Sequence, residues 1–230
     1  MTEAPFVFTL CDAGDCRVNP LKSSLNGHLF CLESYAPNLG NLSKIFKVRD
    51  FLSAASHLPE DAVVVFVDAY DVLCIRNNLH ELLQRFKDTG RDLIAGAETI
   101  FCHHRSTVLP FFLKNYLHQP ARYLNSGFIV AYKWAYLRML NQIADNFVDH
   151  YMLRHRHSDQ RAISTFMHLN STVGWINMDI DCRRQFCHTH TYDNNPLSLE
   201  DIHAYFVHVT WLSLDVQAEA YAKIRTHFLG

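Results

Sequence analysis

The sequence predicts an α/β domain in which helices cover a mostly parallel sheet. Its composition is that of an ordinary globular protein, with 49% hydrophobic and 19% charged residues over 230 positions. Val63–Val67 is an unbroken apolar run, typical of a strand that is buried on both faces of a parallel sheet. Segments with helical spacing alternate with such strands, and no linker, repeat or low-complexity tract divides them. We therefore predict one domain over residues 1–230.

The elements of the first half follow from the spacing of apolar residues. Ile45, Val48 and Leu52 recur at helical intervals after Ser43, a residue type that often caps a helix. In order, we predict strands at residues 7–10 and 28–32, a helix at 43–57, a strand at 63–67, a helix at 79–86 and a strand at 92–98.

The second half is more helical. Its first strand contains a small polar bend, Asn125-Ser126-Gly127, and Ser158 is placed to cap a helix. In order, we predict a strand at residues 123–131, helices at 134–150 and 158–167, strands at 175–179 and 205–209 and a helix at 214–228.

Charge and cysteine content argue against several classes of protein. The formal net charge is −2, and the longest basic cluster, Arg154-His155-Arg156-His157, is too short for a nucleic-acid interface. No stretch reaches transmembrane length, and the first residues lack the basic start and apolar core of a secretory signal. Seven cysteines cannot all pair within one chain. We therefore expect reduced thiols and a soluble, cytoplasmic protein.

Two carboxylates follow the most apolar strand. Asp68 and Asp71 form a D-x-x-D pair that encloses Tyr70. Open α/β sheets bind ligands beyond the carboxyl ends of their strands, and hard divalent cations prefer oxygen ligands. A cation there could clamp a diphosphate, so the pair suggests a metal-dependent enzyme with a phosphorylated donor. Acids at strand ends also serve as turn or cap residues, so both interpretations stay open.

Other polar residues are predicted to reach the same edge of the sheet. His208 lies near the end of the last predicted strand, while Asn125-Ser126-Gly127 and Asp159-Gln160 suit hydroxyl-rich ligands. Two carboxylates and one imidazole leave room for phosphate oxygens, and this mixed ligation suits Mn²⁺ better than Ca²⁺. Each residue also has a structural alternative: a buried histidine, a turn, a helix N-terminus and, for Tyr70, a cover over the core.

A structural zinc site is a further interpretation of the cysteines. Cys182, Cys187, His188 and His190 lie within nine residues, but their spacing is not that of a common zinc finger. Cys11 and Cys16 have no second cysteine pair nearby either. These segments therefore indicate zinc only weakly.

Several motifs together resemble the glycosyltransferase domain of collagen lysyl hydroxylases. The resemblance extends roughly from Lys44 to His208, and weakly over the first strand. The motifs occur in the same order as in that family. They are residues 65–72, with Asp68-Ala69-Tyr70-Asp71 at their centre, 81–86, 97–98 with Cys102, 123–129, 158–160 and 176–179, and the strand that carries His208.

The resemblance implies a GT-A (Rossmann-like) fold with a mixed, mostly parallel central sheet and a UDP-sugar donor used with Mn²⁺. The implied metal ligands are Asp68, Asp71 and His208. UDP-glucose or UDP-galactose is the expected donor, and the expected acceptor is a hydroxyl of a glycan or of a hydroxylysine-type protein side chain.

The same resemblance assigns the remaining site residues. Tyr70 would lie against the uridine, and we expect the donor pocket to include the residues of the first strand end, the polar bend and one lysine: Thr9, Leu10, Lys44, Ser126 and Gly127. Asn125, Asp159 and Glu98 match positions on the sugar and acceptor side, where Asp159 would bind sugar hydroxyls, stabilise an oxocarbenium-like centre or deprotonate an acceptor hydroxyl.

The sequence also departs from that family. Ser158 stands where the family has an acid, and Val209-Thr210-Trp211-Leu212 replaces a glycine-rich segment. A catalytically silent nucleotide-sugar-binding domain and a metal-dependent nucleotidyltransferase or pyrophosphatase therefore remain alternatives. Because the sequence lacks the dioxygenase domain of lysyl hydroxylases, we expect no Fe(II) or 2-oxoglutarate chemistry from it.

Overall fold

A computed structural model describes residues 4–33, 37–101, 108–151, 158–191, 198–210 and 214–229. The basic cluster Arg154–His157, Cys102 and Trp211 lie outside these ranges. The strands are β1 (Phe6–Leu10), β2 (Phe30–Leu32), β3 (Val63–Val67), β4 (Val72–Cys74), β5 (Leu93–Glu98), β6 (Tyr123–Tyr132), β7 (Met178–Ile180), β8 (Cys187–His190) and β9 (Phe206–Val209). The α-helices are α1 (Asn19–Ser24), α2 (Ser43–Ala54), α3 (Leu79–Asp88), α4 (Leu109–Tyr116), α5 (Lys133–Tyr151), α6 (Asp159–Val173) and α7 (Leu214–Phe228).

Six strands form the main sheet in the order β2-β1-β3-β6-β5-β7. Only β6 runs against its neighbours in this sheet, because it pairs antiparallel with both β3 and β5. All five residues of β3 are buried, as its unbroken apolar sequence predicts for a central strand. The predicted α/β class with a mixed, mostly parallel sheet is confirmed.

A second, three-stranded sheet has the order β4-β9-β8. Its strands β4 and β8 were not predicted, because three- and four-residue strands give too little alternation to recognise. β4 starts one residue after Asp71 and pairs antiparallel with β9, with Val72 opposite His208. The small sheet therefore brings the last strand of the chain to the end of β3.

Apolar side chains fill both faces of the main sheet. One cluster packs Phe8, Phe66 and Ile129 against α2, α5 and α6. The other packs Val65, Phe128 and Phe206 between the main sheet, α3 and the small sheet. Burial of such side chains contributes roughly 1.5–3 kcal/mol each before entropy is counted. The ends of β3, β5 and β6 are thus held in a rigid core.

Helix and strand ends differ from the predictions in several places. Ser158 caps α6 as predicted, since its side chain accepts a hydrogen bond from Arg161 N, but the helix runs to Val173. Ser43 does not cap α2: it is the first helical residue and fully buried, and Leu42 holds the cap position. Neither α1 nor α4 was predicted, and β7 begins at Met178 instead of residue 175.

Two further expectations concern the cysteines and membrane-spanning helices. Six cysteines have described positions, and all six are free thiols. Cys182 and Cys187 are buried, and the segment between them forms a turn that leads into β8. Among the described helices, none combines the length and apolar character needed to cross a bilayer.

Candidate active site

Backbone pairing fixes the two acids at the end of β3. The N–H of Asp68 donates to the carbonyl of Gly127 at 2.9 Å, which extends the β3–β6 pairing by one residue. The carbonyl of Asp71 accepts from Val209 N at 2.8 Å. Asp68 is thus tied to the main sheet and Asp71 to the small sheet, so the D-x-x-D turn bridges the two.

Three candidate ligand atoms meet beside this turn. One atom each from Asp68, Asp71 and His208 lie within 4.8 Å of one another, and among the described residues no other acid, histidine or cysteine group of three meets this spacing. Nε2 of His208 lies 3.0 Å from Oδ2 of Asp71. Two carboxylate oxygens and one imidazole nitrogen form a donor set that fits Mn²⁺ or Mg²⁺, with positions left for phosphate oxygens.

The charges in this cluster stabilise one another. Burial would lower the pKa of His208, but the carboxylate of Asp71 outweighs burial and raises it. Burial would raise the pKa of Asp71, but His208 outweighs it and holds that pKa below its usual range. The pKa of Asp68 is raised, mainly by burial. A cation bound here would favour the ionised form of both acids.

Lys44 of α2 supplies the positive charge nearest to Asp68. Its Nζ lies 2.6 Å from Oδ1 of Asp68 and 3.4 Å from Oδ2 of Asp159. Burial would lower the pKa of Lys44, but Asp159 and Asp68 outweigh it and raise that pKa. The lysine therefore stays protonated and links the end of β3 with the start of α6.

The polar bend in β6 packs directly against the histidine. The β5–β6 register shifts between Ala95 and Gly96, which allows the strand to bend at Asn125-Ser126-Gly127. A Cβ atom on Gly127 would lie 2.2 Å from Cε1 of His208. Only glycine therefore leaves room for the imidazole ring at this position.

Asp159 begins α6 and lines the same cavity. Asp159 is 2% exposed. Its Oδ2 lies 3.4 Å from Nζ of Lys44 and accepts no hydrogen bond from the described residues. Asp159 is thus a buried carboxylate whose second oxygen can bind an incoming hydroxyl.

Tyr70 lies at a more exposed side of the site. Its hydroxyl accepts from Asp12 N at 2.9 Å and donates to Oδ2 of Asp12 at 3.1 Å. Burial raises the pKa of Tyr70 to about 12, so the hydroxyl stays protonated at neutral pH. The guanidinium of Arg17 lies 4.3 Å from the centroid of the ring, so one face of the ring is covered.

Ten of the twelve predicted site residues line one cavity of about 390 Å³: Leu10, Lys44, Asp68, Tyr70, Asp71, Asn125, Ser126, Gly127, Asp159 and His208. The other two, Thr9 and Glu98, are fully buried behind the cavity wall. The hydroxyl of Thr9 donates to Val67 O at 2.7 Å, so this side chain joins β1 to β3.

Several residues of this site were missed in the sequence. Asn41, Thr210 and Gln217 also line the cavity, and Gln217 donates to Val209 O at 3.1 Å. Arg17 was missed as well. Each is a polar residue in a loop or on a helix face, and such residues are common on any protein surface, so no local pattern distinguishes them.

Known proteins share the family and the fold of this chain. Residues 33–201 match the family model described as the PLOD GT domain, a range that includes the predicted acids but not His208. No curated protein matches the sequence. A crystal structure of a glycosyltransferase involved in glycosylation of the major capsid of PBCV-1 has a TM-score of 0.56 and 11% identity, covering 96% of this chain and 100% of its own. The structure of mouse xyloside xylosyltransferase 1 has a TM-score of 0.54 and 11% identity, and the match covers 90% of this chain and 98% of that one. The structure of the galactosyltransferase LgtC has a TM-score of 0.50 and 12% identity, and the match covers 97% of this chain and 96% of that one.

Proposed function

This chain belongs to the PLOD GT domain family, and we propose that it transfers a hexose from a UDP-sugar to a hydroxyl with the help of Mn²⁺. Family and fold make the protein a GT-A glycosyltransferase. The donor, the cation and the acceptor are the proposed part. UDP-glucose or UDP-galactose is the expected donor, and the acceptor is a glycan or a hydroxylysine-type protein side chain.

One observation carries the proposal. Asp68, Asp71 and His208 present three ligand atoms within 4.8 Å inside a cavity that also holds the half-buried Lys44 and the buried acid Asp159. When bound, a divalent cation supplies positive charge that offsets the charge developing on a UDP leaving group. The three side chains hold that charge at a fixed place because β3, β4 and β9 anchor them.

The remaining residues position the donor and the acceptor. Lys44 is expected to bind donor oxygens, since its ammonium group is protonated and faces the cavity. Asp159 is expected to bind a sugar hydroxyl or to accept the proton of the acceptor hydroxyl. Tyr70 and Leu10 are expected to contact the uridine, because they bring an aromatic ring and an apolar side chain to the cavity lining.

The test is UDP release from a panel of UDP-sugars in the presence of Mn²⁺ or EDTA. We expect slow hydrolysis of one UDP-hexose even without acceptor, and we expect EDTA to abolish it. Asp71→Ala should lower UDP release at least about 100-fold, because a cation ligand is lost. Asp50→Ala is the matched control, because Asp50 is an exposed acid on α2 whose side chain is 59% accessible.

Each alternative gives a different product pattern. Release of pyrophosphate or UMP would indicate a nucleotidyltransferase or pyrophosphatase. Binding of UDP and Mn²⁺ in calorimetry without turnover on any acceptor tested would favour the silent binding domain. Unchanged Mn²⁺ and UDP affinity in Asp71→Ala would refute the metal site. A cytoplasmic location stays a separate prediction, to be checked by fractionation of the native source.

A further inference from the structure

A chain of hydrogen-bonded side chains lies behind the candidate metal site. Nδ1 of His208 lies 3.0 Å from Oδ1 of Asn125, and Nδ2 of Asn125 donates to Oε2 of Glu98 at 2.9 Å. Glu98 is fully buried, and Asn125 and His208 are each 2% exposed. Each of these groups has partners at hydrogen-bond distance, so the direction of each hydrogen bond can be deduced from the partners.

The orientation of the Asn125 amide follows from two neighbours. The backbone N–H of Gly127 can only donate, and it lies 2.9 Å from Oδ1. The carboxylate of Glu98 accepts on the other side of the amide. A flipped amide would place its NH₂ group against the N–H of Gly127 and its oxygen against the carboxylate. The oxygen of Asn125 therefore faces His208.

The protonation of the His208 ring follows in turn. An acceptor at Nδ1 requires a hydrogen on Nδ1, whether or not Nε2 also carries one. Loss of the other proton therefore always leaves a lone pair on Nε2, the nitrogen that faces Asp71 at 3.0 Å. Close packing of Gly127 on the ring keeps that lone pair in one direction.

Glu98 extends this chain to the first turn of α6. Its second oxygen, Oε1, accepts from Nε2 of Gln160 at 2.6 Å. Gln160 follows Asp159 in the first turn of α6. One buried carboxylate thus supports both the histidine and the start of the helix that carries Asp159.

We propose that Asn125 and Glu98 are positioning residues that hold His208 with its hydrogen on Nδ1 and so direct its Nε2 lone pair to a divalent cation. This inference rests on the proposed function, because it requires the metal site. It differs from the sequence-based assignment, in which both residues contact sugar or acceptor. Groups that orient a metal-binding histidine typically change metal affinity 10–100-fold when removed.

The test uses Mn²⁺ alone, without a nucleotide. Calorimetry gives the Mn²⁺ affinity, and electron spin echo spectroscopy of bound Mn²⁺ detects a coordinated nitrogen. Asn125→Leu, close in size to asparagine, removes the acceptor, and we expect a 10–100-fold loss of affinity together with a weaker nitrogen signal. Asn125→Asp keeps the acceptor for Nδ1 and can share a proton with Glu98, so we expect it to retain both.

A double-mutant cycle with His208→Asn distinguishes a relay, in which Asn125 acts on the cation through His208, from a direct effect of Asn125 on the cation. If Asn125 acts through His208, Asn125→Leu should lower Mn²⁺ affinity no further in the His208→Asn background. Equal losses in both backgrounds would overturn the proposal. Circular dichroism and thermal melting establish folding first, and Asn125→Ala, which adds no atoms, replaces Asn125→Leu if that variant does not fold.

The relay and the proposed function fail in different ways. If the wild type binds Mn²⁺ with a nitrogen signal and Asn125→Leu behaves like the wild type, only the relay is wrong. If the wild type binds no Mn²⁺, the metal site is wrong, and the relay is overturned with it.

Discussion

The two walls of the cavity are built in different ways. The metal wall consists of Asp68, Asp71, Asn125, Gly127 and His208, and the backbones of Asp68 and Asp71 are paired with the strands that carry Gly127 and His208. The nucleotide wall consists of Leu10 and Tyr70 with two supporting residues, Asp12 and Arg17. There the contacts among Tyr70, Asp12 and Arg17 each involve a side chain, and the side chains of Arg17 and Asp12 are 62% and 43% accessible.

This difference indicates where the protein tolerates change. Buried, fully paired groups cost several kcal/mol to disturb, whereas exposed ion pairs are worth at most about 1 kcal/mol. The metal wall is therefore expected to be rigid before any ligand arrives. The nucleotide wall is expected to adjust to the donor at little cost.

Gly127→Ala is the strongest test of the rigid wall. A Cβ atom at this position would lie 2.2 Å from Cε1 and 2.7 Å from Nδ1 of His208, so the ring must move. We expect a loss of about 1–3 kcal/mol in the free energy of unfolding, typical of overpacking, together with weaker Mn²⁺ binding. Chemical denaturation and calorimetry measure the two effects.

A second substitution reports whether the imidazole causes that loss. Adding His208→Ala removes the ring, so the alanine at position 127 should then cost little more in stability. Equal costs in both backgrounds would mean that the wall adjusts elsewhere. The contrast between the two walls would then be weaker than the packing indicates.

The sequence reveals this wall only in part. Asp68 and Asp71 could be predicted because they follow an apolar strand directly, and that signal is local. Their meeting with His208 depends on β4, a three-residue strand that pairs with residues more than 130 positions away. His208 was expected at this edge because it lies near the end of the last predicted strand, and the family resemblance implied its role as a ligand, although the matched family range, 33–201, ends before it.

Burial was the other property that the sequence could not supply. Glu98 was predicted as a strand-end acid beside the sugar, but it is fully buried between Asn125 and Gln160. Arg17 covers Tyr70, although 53 positions separate them. Both facts depend on how the β5–β6 bulge and the β1–α1 loop pack, which no short pattern encodes.

The small sheet that supports the metal wall should weaken at acidic pH. Burial above all, with help from Arg184 and His190, lowers the pKa of His188 in β8 to about 3. The unfolded chain binds this proton near pH 6.5, so between about pH 6.5 and pH 3 the unfolded state holds more protons. Stability from His188 is therefore complete above pH 6.5 and is lost as the pH falls.

His188→Gln should reduce that pH dependence. Its amide can still accept from Arg184 but does not titrate. From pH 7 to pH 5 we expect the wild type to lose on the order of 1–2 kcal/mol more than the variant, measured by denaturation at each pH. His80→Gln, at an exposed position on α3, is the control. Parallel pH profiles for all three proteins would show that His188 does not drive the acid loss.

Arg17→Ala should have the smallest effect, and it tests the adjustable wall. Arg17 contacts the Tyr70 ring at 4.3 Å and the side chain of Asp15, both near solvent. An exposed cation–π contact is worth about 0.5–1 kcal/mol, so we expect UDP affinity to change less than about fivefold.

Tyr70→Ala should weaken UDP binding roughly 10-fold or more, since stacking of a base on an aromatic ring contributes about 1–3 kcal/mol. Calorimetric titration with UDP and Mn²⁺ compares the two variants. A loss for Arg17→Ala as large as that for Tyr70→Ala would mean that the arginine contacts the nucleotide itself, and that this wall is as specific as the one that faces it.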